Sequence, residues 1–231
     1  MLDRILSELP RFFGPYNLIF LGEALLSTLA LSAAGCLVGC LVGFPIALLR
    51  RTRGWATLPL RAIATGFVEL FRRVPFLVTL LTIFFVSQAV GLSLSTFSVG
   101  LVSVCLIASA FISEIVRGGL ASVHANQTDA ARVLNLSSRQ TLVHVVLPQA
   151  WKVIIPPIFG FFVLFIKDTA LASQVGVLEL TYASKVLNSR GFSAVLVFGT
   201  ILLLYFALSY PLSRLGALLE IRLAVRRSQR D

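Results

Sequence analysis

Five residues could do chemistry where the rest of the 231-residue chain is apolar. Lys167, Asp168 and Thr169 interrupt the late part of a hydrophobic run that opens at Trp151, and Glu69 and Arg72 stand in another mixed stretch. An ionisable group inside a membrane-spanning helix is costly, so such a residue marks a candidate pathway or binding site by default. Counted from Val153, Lys167 and Asp168 lie about 20 Å along a helix at roughly 1.5 Å per residue. That is past the bilayer midplane. The plainer alternative is an ion pair within the membrane or a bond across a subunit interface.

A second stretch, Asp129–Pro148, is polar and helix-forming and separates two long apolar blocks. Thr128 is a candidate N-cap, with Asp129 near the positive helix end. Ala130 and Ala131 offer a small face for another protein. Asn126 and Asn135 fall where the chain should turn, because asparagine tolerates left-handed backbone better than most residues. Ser137–Ser138 should cap a second helix, Arg139–Leu147, which Pro148 ends or offsets. The result is a helix–turn–helix elbow; the plainer reading is a solvated linker. His124 and His144 are the only histidines and lack partners at metal-ligand spacing. The chain has no GxxxxGK[ST] phosphate loop, so any ATP is used elsewhere.

These residues need a scaffold. The chain is 57% hydrophobic and 13% charged, where soluble domains run to roughly 25% charged. Several runs approach the roughly 20 residues a helix needs to cross a bilayer. The runs are continuous rather than alternating, which excludes a β-barrel. The expected fold is an all-α integral membrane protein with five transmembrane helices. They are Phe20–Leu49, one helix from about Leu60 to Val90 kinked at Pro75, Phe97–Ile115, Trp151–Val175 and Phe192–Leu212. An amphipathic N-terminal segment covers 1–19, limited by Pro10 and Gly14–Pro15, and suits an interfacial anchor. The five-helix transmembrane domain covers 20–215, with the polar loop at about 120–150 and a basic tail at 216–231. Gly118–Gly119 should break the third span. Gly35, Gly39 and Gly43 form a stripe that lets another helix approach closely. Cys36, Cys40 and Cys105 lie within apolar segments without metal spacing. Met1–Tyr16 lacks the basic start of a cleavable signal, so the first membrane helix is expected to direct insertion.

The net charge of +10 does not point to nucleic acid, because the basic residues cluster at the ends of apolar segments. With five spans, alternate connecting segments hold 15 Lys/Arg on one side and 4 on the other, Lys167 being the twentieth. The positive-inside bias then puts the N-terminus outside and both the polar loop and the C-terminus in the cytoplasm.

The loop also carries a family pattern. Asp129-Ala130-Ala131, three residues, Asn135, nine residues, Val145, one residue and Leu147-Pro148 resemble the EAA-x3-G-x9-I-x-LP loop of bacterial ABC-importer permeases. ELFRRVPFLV from Glu69, SEIVRGGLASV from Ser113, LPQAWKVIIPP from Leu147 and KDTALAS from Lys167 resemble segments of its polar amino acid branch (His/Glu/Gln/Arg/opine). Glu→Asp, Gly→Asn and Ile→Val depart from the loop pattern. Asn126 stands where the branch has glycine, and Ala170 where it often has serine.

The resemblance implies an inner-membrane permease subunit, not itself an enzyme, for an ATP-driven importer of polar amino acids. Its coupling loop would dock the ATPase through Asp129, Ala130, Ala131, Asn135, Leu136, Ser137, Leu147 and Pro148. It implies two copies of a cytoplasmic ATPase carrying ATP and Mg, a second permease subunit, identical or homologous, and a periplasmic binding protein. Glu69, Arg72, Lys167 and Asp168 would hold the ammonium and carboxylate of the amino acid, with Thr169 adding a hydroxyl. Two other classes compete: a membrane scaffold or sensor that only docks a cytoplasmic partner, and a self-sufficient secondary transporter. Polar residues within the spans weigh against the first. The lack of an inverted repeat and the few intramembrane carboxylates weigh against the second.

Overall fold

The computed structural model describes residues 2–52 and 54–223, with side chains from residue 5 onward. Every regular element among the described residues is helical. Helix α1 (Leu2–Phe12) runs through Pro10 rather than stopping at it. Its Phe12 is fully buried and meets Phe192 edge-on, with ring centroids 5.3 Å apart. This helix is therefore packed on the protein as well as amphipathic.

Helix α2 (Pro15–Arg51) is 37 residues long. Pro15 opens it, where a missing N–H costs nothing and the fixed φ already suits a helix. Its glycine stripe meets α5 (Thr96–Ala121). A Cβ on Gly39 would stand 2.9 Å from the Ala108 Cβ, and one on Gly43 would stand 2.7 Å from the Ser109 carbonyl oxygen. Only hydrogen fits at those positions, so the two backbones pack directly.

Helix α5 is the centre of the bundle. It is touched by α2, by α3 (Leu58–Arg73), by α4 (Phe76–Ala89) and by α8 (Leu147–Asp168). Of its most apolar 18 residues 61% are buried, against 17% for α10 (Ala194–Leu223), which leaves a broad apolar face for lipid. Gly118 and Gly119 do not break α5. A Cβ at Gly119 would collide with the Ile154 side chain, so this glycine serves helix contact instead.

The expected Leu60–Val90 helix is two helices that differ in direction by 111°. Pro75 pushes Val74 out of the helical region, to φ −83° and ψ 131°, because its ring crowds the preceding residue. The break leaves four helices long and apolar enough to span, or five if the bent α3–α4 pair counts as one span.

Helix α6 (Ala125–Val133) forms the first limb of the polar loop. Three-residue α7 (Ser138–Gln140), a π-helical stretch Thr141–Val146, α8 and a 3-10 segment Thr169–Val175 then run on as one 38-residue rod. Pro148 does not end a helix. It lies in the first turn of α8, and the wider π turns before it accommodate the hydrogen bond that proline cannot make. Helix α9 (Leu180–Ser189) follows, and α10 continues well beyond the expected end at Leu212. Of the basic tail, Arg226, Arg227 and Arg230 lie outside the described residues.

Candidate functional site

The bundle has two ends. One gathers the C-termini of α2 and α5 with the α6 elbow; the other gathers the 3-10 segment, α9 and the starts of α2 and α5.

At the first end the elbow is built by caps. His124, not Thr128, caps α6: its Nδ1 accepts from the Asn126 amide at 3.3 Å. Asn126 and Asp129 are thus inside the helix rather than at its edge. Asn135 ends the helix with φ 54°, the one positive φ outside glycine among the described residues. The Leu136 amide donates back to the Ala131 carbonyl at 3.0 Å and the Asn135 amide to the Arg132 carbonyl at 2.9 Å. This is the closure that glycine usually allows at a helix C-terminus, and asparagine supplies it here. Ser137 then starts the rod with a capping box: Gln140 Oε1 accepts from the Ser137 amide at 2.9 Å, and Ser137 Oγ accepts from the Gln140 amide at 3.3 Å.

The two alanines divide. Ala130 is exposed while Ala131 is buried against the bundle. The sequence reading passed over the strongest docking feature: Val133 and Leu134, exposed by 84% and 74% at the tip of the elbow. Leu147 and Pro148 lie at the base of the rod, not on the tip. Sequence alone does not distinguish Val133 and Leu134 from packed apolar residues; the turn at Asn135 leaves them exposed.

Just inside this end, Glu114 gathers cations from three helices. Its carboxylate accepts from Arg50 Nη1 at 2.9 Å and from Arg117, and lies 3.5 Å from Arg72 Nη1. Glu69 pairs instead with Arg73 at 2.7 Å on the surface of α3. Glu69 and Arg72 therefore belong to ion pairs at this end, and the structure does not join them to Lys167 and Asp168.

Lys167 and Asp168 close α8 at the other end, and neither has an ion pair or hydrogen bond among the described residues. Asp168 is half-buried. Thr169 is fully buried and returns its hydroxyl to the Ile166 carbonyl at 2.8 Å, so that donor is already used. Lys167 is exposed along one wall of a cavity of about 550 Å3 between α8 and α10, shared with Tyr205, Ser209 and Tyr210. The buried Ser209 Oγ has no partner among the described residues.

Glu179 was not singled out in the sequence, yet it is wholly buried. It caps α9, accepting from the Thr181 amide at 2.9 Å and the Tyr182 amide at 2.6 Å. The Tyr205 hydroxyl donates to it at 2.7 Å, and Thr28 Oγ1 accepts from the adjoining Leu180 amide at 3.3 Å. Burial pushes the Glu179 carboxyl above its usual range, while the hydrogen bonds pull it back. This cluster ties α9 to α2 and α10 beside the segment that carries Asp168.

The arrangement can present an apolar tip to a partner at one end and two unpaired charges, joined by a rod, at the other. Comparison with known proteins agrees with that architecture. Residues 35–225 match the model of the family described as the binding-protein-dependent transport system inner membrane component. A Bacillus subtilis (strain 168) protein named a probable glutamine ABC transporter permease is 32% identical over 91% of this chain and 98% of its own length. The same bacterium's L-cystine transport system permease is also 32% identical, over 85% of this chain and 83% of its own length. A crystal structure of an amino acid ABC transporter with histidines superposes with a TM-score of 0.85 at 28% identity, covering 94% of this chain and 98% of that one.

Proposed function

The chain belongs to the family of binding-protein-dependent transport system inner membrane components, and we propose that it builds the translocation pathway of an ATP-driven amino acid importer. Its equal identity to permeases named for glutamine and for cystine supports the substrate class.

The observation that carries the reading is the elbow. A capped helix closed by Asn135 at φ 54°, with Val133 and Leu134 exposed beyond it, is a rigid apolar knob for a partner's groove. Permeases of this family work with an ATPase and a substrate-binding protein. We assign the knob to that ATPase, in two copies bearing ATP and Mg, beneath two permease subunits, with the binding protein docking at the α9 end. Asp129, Ala130, Ser137 and the tip residues would then line the groove, while Ala131, Leu147 and Pro148 hold the knob's shape.

The gathering of Arg50, Arg51, Arg117 and Arg132 at the elbow end supports an orientation with that end in the cytoplasm and the N-terminus outside. The scaffold alternative lacks a use for Lys167 and Asp168. In the importer they flank the outer part of the pathway. Arg72 acts below them through the Glu114 cluster, and Glu69 through its pair with Arg73, rather than by holding the solute.

Two measurements test this. The full complex should lose its ATPase when Val133 and Leu134 are both changed to Ser, and ATP-independent uptake by the chain alone would refute the importer. Asp168→Asn should abolish uptake while assembly and basal ATP hydrolysis persist; unchanged uptake removes Asp168 from the pathway.

A further inference from the structure

A second cavity lies at the elbow end, apart from Lys167 and Asp168. It measures about 1020 Å3 and sits between the C-termini of α2 and α5, the start of α3, α6 and the π-helical stretch. Five arginines line it: Arg50, Arg51, Arg61, Arg117 and Arg132. Glu114 already engages Arg50 and Arg117, and Asp129 engages Arg132 at 2.9 Å. Arg51 and Arg61 have no carboxylate within ion-pair distance among the described residues. They donate only to backbone carbonyls, Arg51 to Leu120 at 3.4 Å and Arg61 to Thr52 at 2.6 Å. Those contacts hold both guanidiniums at the cavity wall with donors to spare, since each carries five N–H groups.

The remaining wall decides the ligand. Thr52, Thr128, Ser138 and Thr141 add hydroxyls to the lining, and Leu48, Leu120, Leu142 and Val146 add apolar surface. Guanidinium forks and hydroxyls match phosphate oxygens, and basic pockets between helices at the membrane edge suit acidic headgroups.

We propose that this cavity binds a phosphate-bearing anion, with Arg51 and Arg61 as its principal ligands. The apolar wall makes an acidic phospholipid of the adjoining leaflet the source; a phosphorylated solute is the other. The site stands on the chain's membrane-spanning fold and does not depend on the ATPase assignment.

The test uses the whole permease–ATPase complex, freed of lipid in detergent. Phosphatidylglycerol, phosphatidylcholine or inorganic phosphate is then added, and bound ligand is counted by native mass spectrometry. The expected result is selective retention of phosphatidylglycerol, weakened at least about tenfold in R51Q/R61Q, kept in R51K/R61K and kept in R214Q, whose arginine lies outside the cavity. Retention of inorganic phosphate with the same arginine dependence supports the site and assigns it to a solute. Equal retention by wild type and R51Q/R61Q overturns it, as does equal loss in R214Q. If R51Q/R61Q keeps the lipid and sheds the ATPase, the arginines serve the partner and the proposal falls. An ATPase that never co-purifies refutes the docking assignment and leaves lipid counts on the permease to decide the site.

Discussion

Two buried or half-buried glutamates show how differently the two ends of the bundle handle negative charge. Glu114, whose side chain is 20% exposed, is compensated by the guanidiniums of Arg50, Arg72 and Arg117. Glu179, fully buried, has no cation among its hydrogen-bond partners; two backbone amides and a phenol hydroxyl hold it. The first arrangement joins α2, α3 and α5 through long side chains partly in reach of water, where Coulomb attraction is screened. The second fixes α9 by short dipolar contacts that water does not reach. The elbow end is thus suited to regrouping its partners, and the α9 end to holding one geometry.

The contrast can be broken experimentally. The largest effect is expected for Glu179→Ala, which orphans the Thr181 and Tyr182 amides and leaves the Tyr205 hydroxyl only Thr181 Oγ1, at 3.1 Å; a loss of about 2–4 kcal/mol should appear in thermal unfolding of the detergent-solubilised chain. Glu114→Ala leaves Arg50, 9% exposed, without its counter-charge and should cost about 1–2 kcal/mol, the figure being reduced because the cluster is partly solvated. A larger loss for Glu114→Ala than for Glu179→Ala would reverse the comparison. Tyr205→Phe removes one bond to Glu179, and about 1 kcal/mol is expected.

Acidity should separate the ends more finely. The folded-state pKa of Glu179 is raised, so its folded state holds a proton more tightly than the unfolded chain does. The stabilisation is present in full below the unfolded carboxyl range and is lost as the pH rises through the folded value. Wild type should therefore gain stability on acidification relative to Glu179→Gln. Parallel pH profiles of the two proteins would show that Glu179 does not titrate in this way.

Sequence made the first end legible and the second nearly opaque, for physical reasons. The glycine stripe of α2 is readable because small residues four apart have one structural use in an apolar helix, and Gly39 and Gly43 meet α5 as expected. The elbow is readable because its turn needs a residue that tolerates positive φ, and Asn135 is one. Gly118–Gly119 misleads, since glycine that admits Ile154 looks the same in sequence as glycine that ends a helix. The 111° break at Pro75 is underestimated as a kink because proline specifies a local clash and tertiary packing sets the angle. Glu179 is invisible: a single glutamate between Leu178 and Leu180 resembles a solvated loop residue until the fold closes over it. Lys167 and Asp168 stand out as charges in an apolar run, but the separation of Glu69 and Arg72 from them is decided by the path of α3, which composition does not encode.

The continuous helix from Ser138 to Val175 has a mechanical consequence. At 38 residues it is a strut of about 57 Å, with the elbow at its foot and Asp168 near its head. A push or tilt applied at the foot reaches the head with no refolding in between. The π turns at Thr141–Val146 interrupt its ordinary winding close to the foot. Stroke length at the far end should therefore depend on how stiff those six residues are, so a substitution there that restores ordinary helical winding would change how far the Asp168 end moves while leaving the strength of partner binding intact.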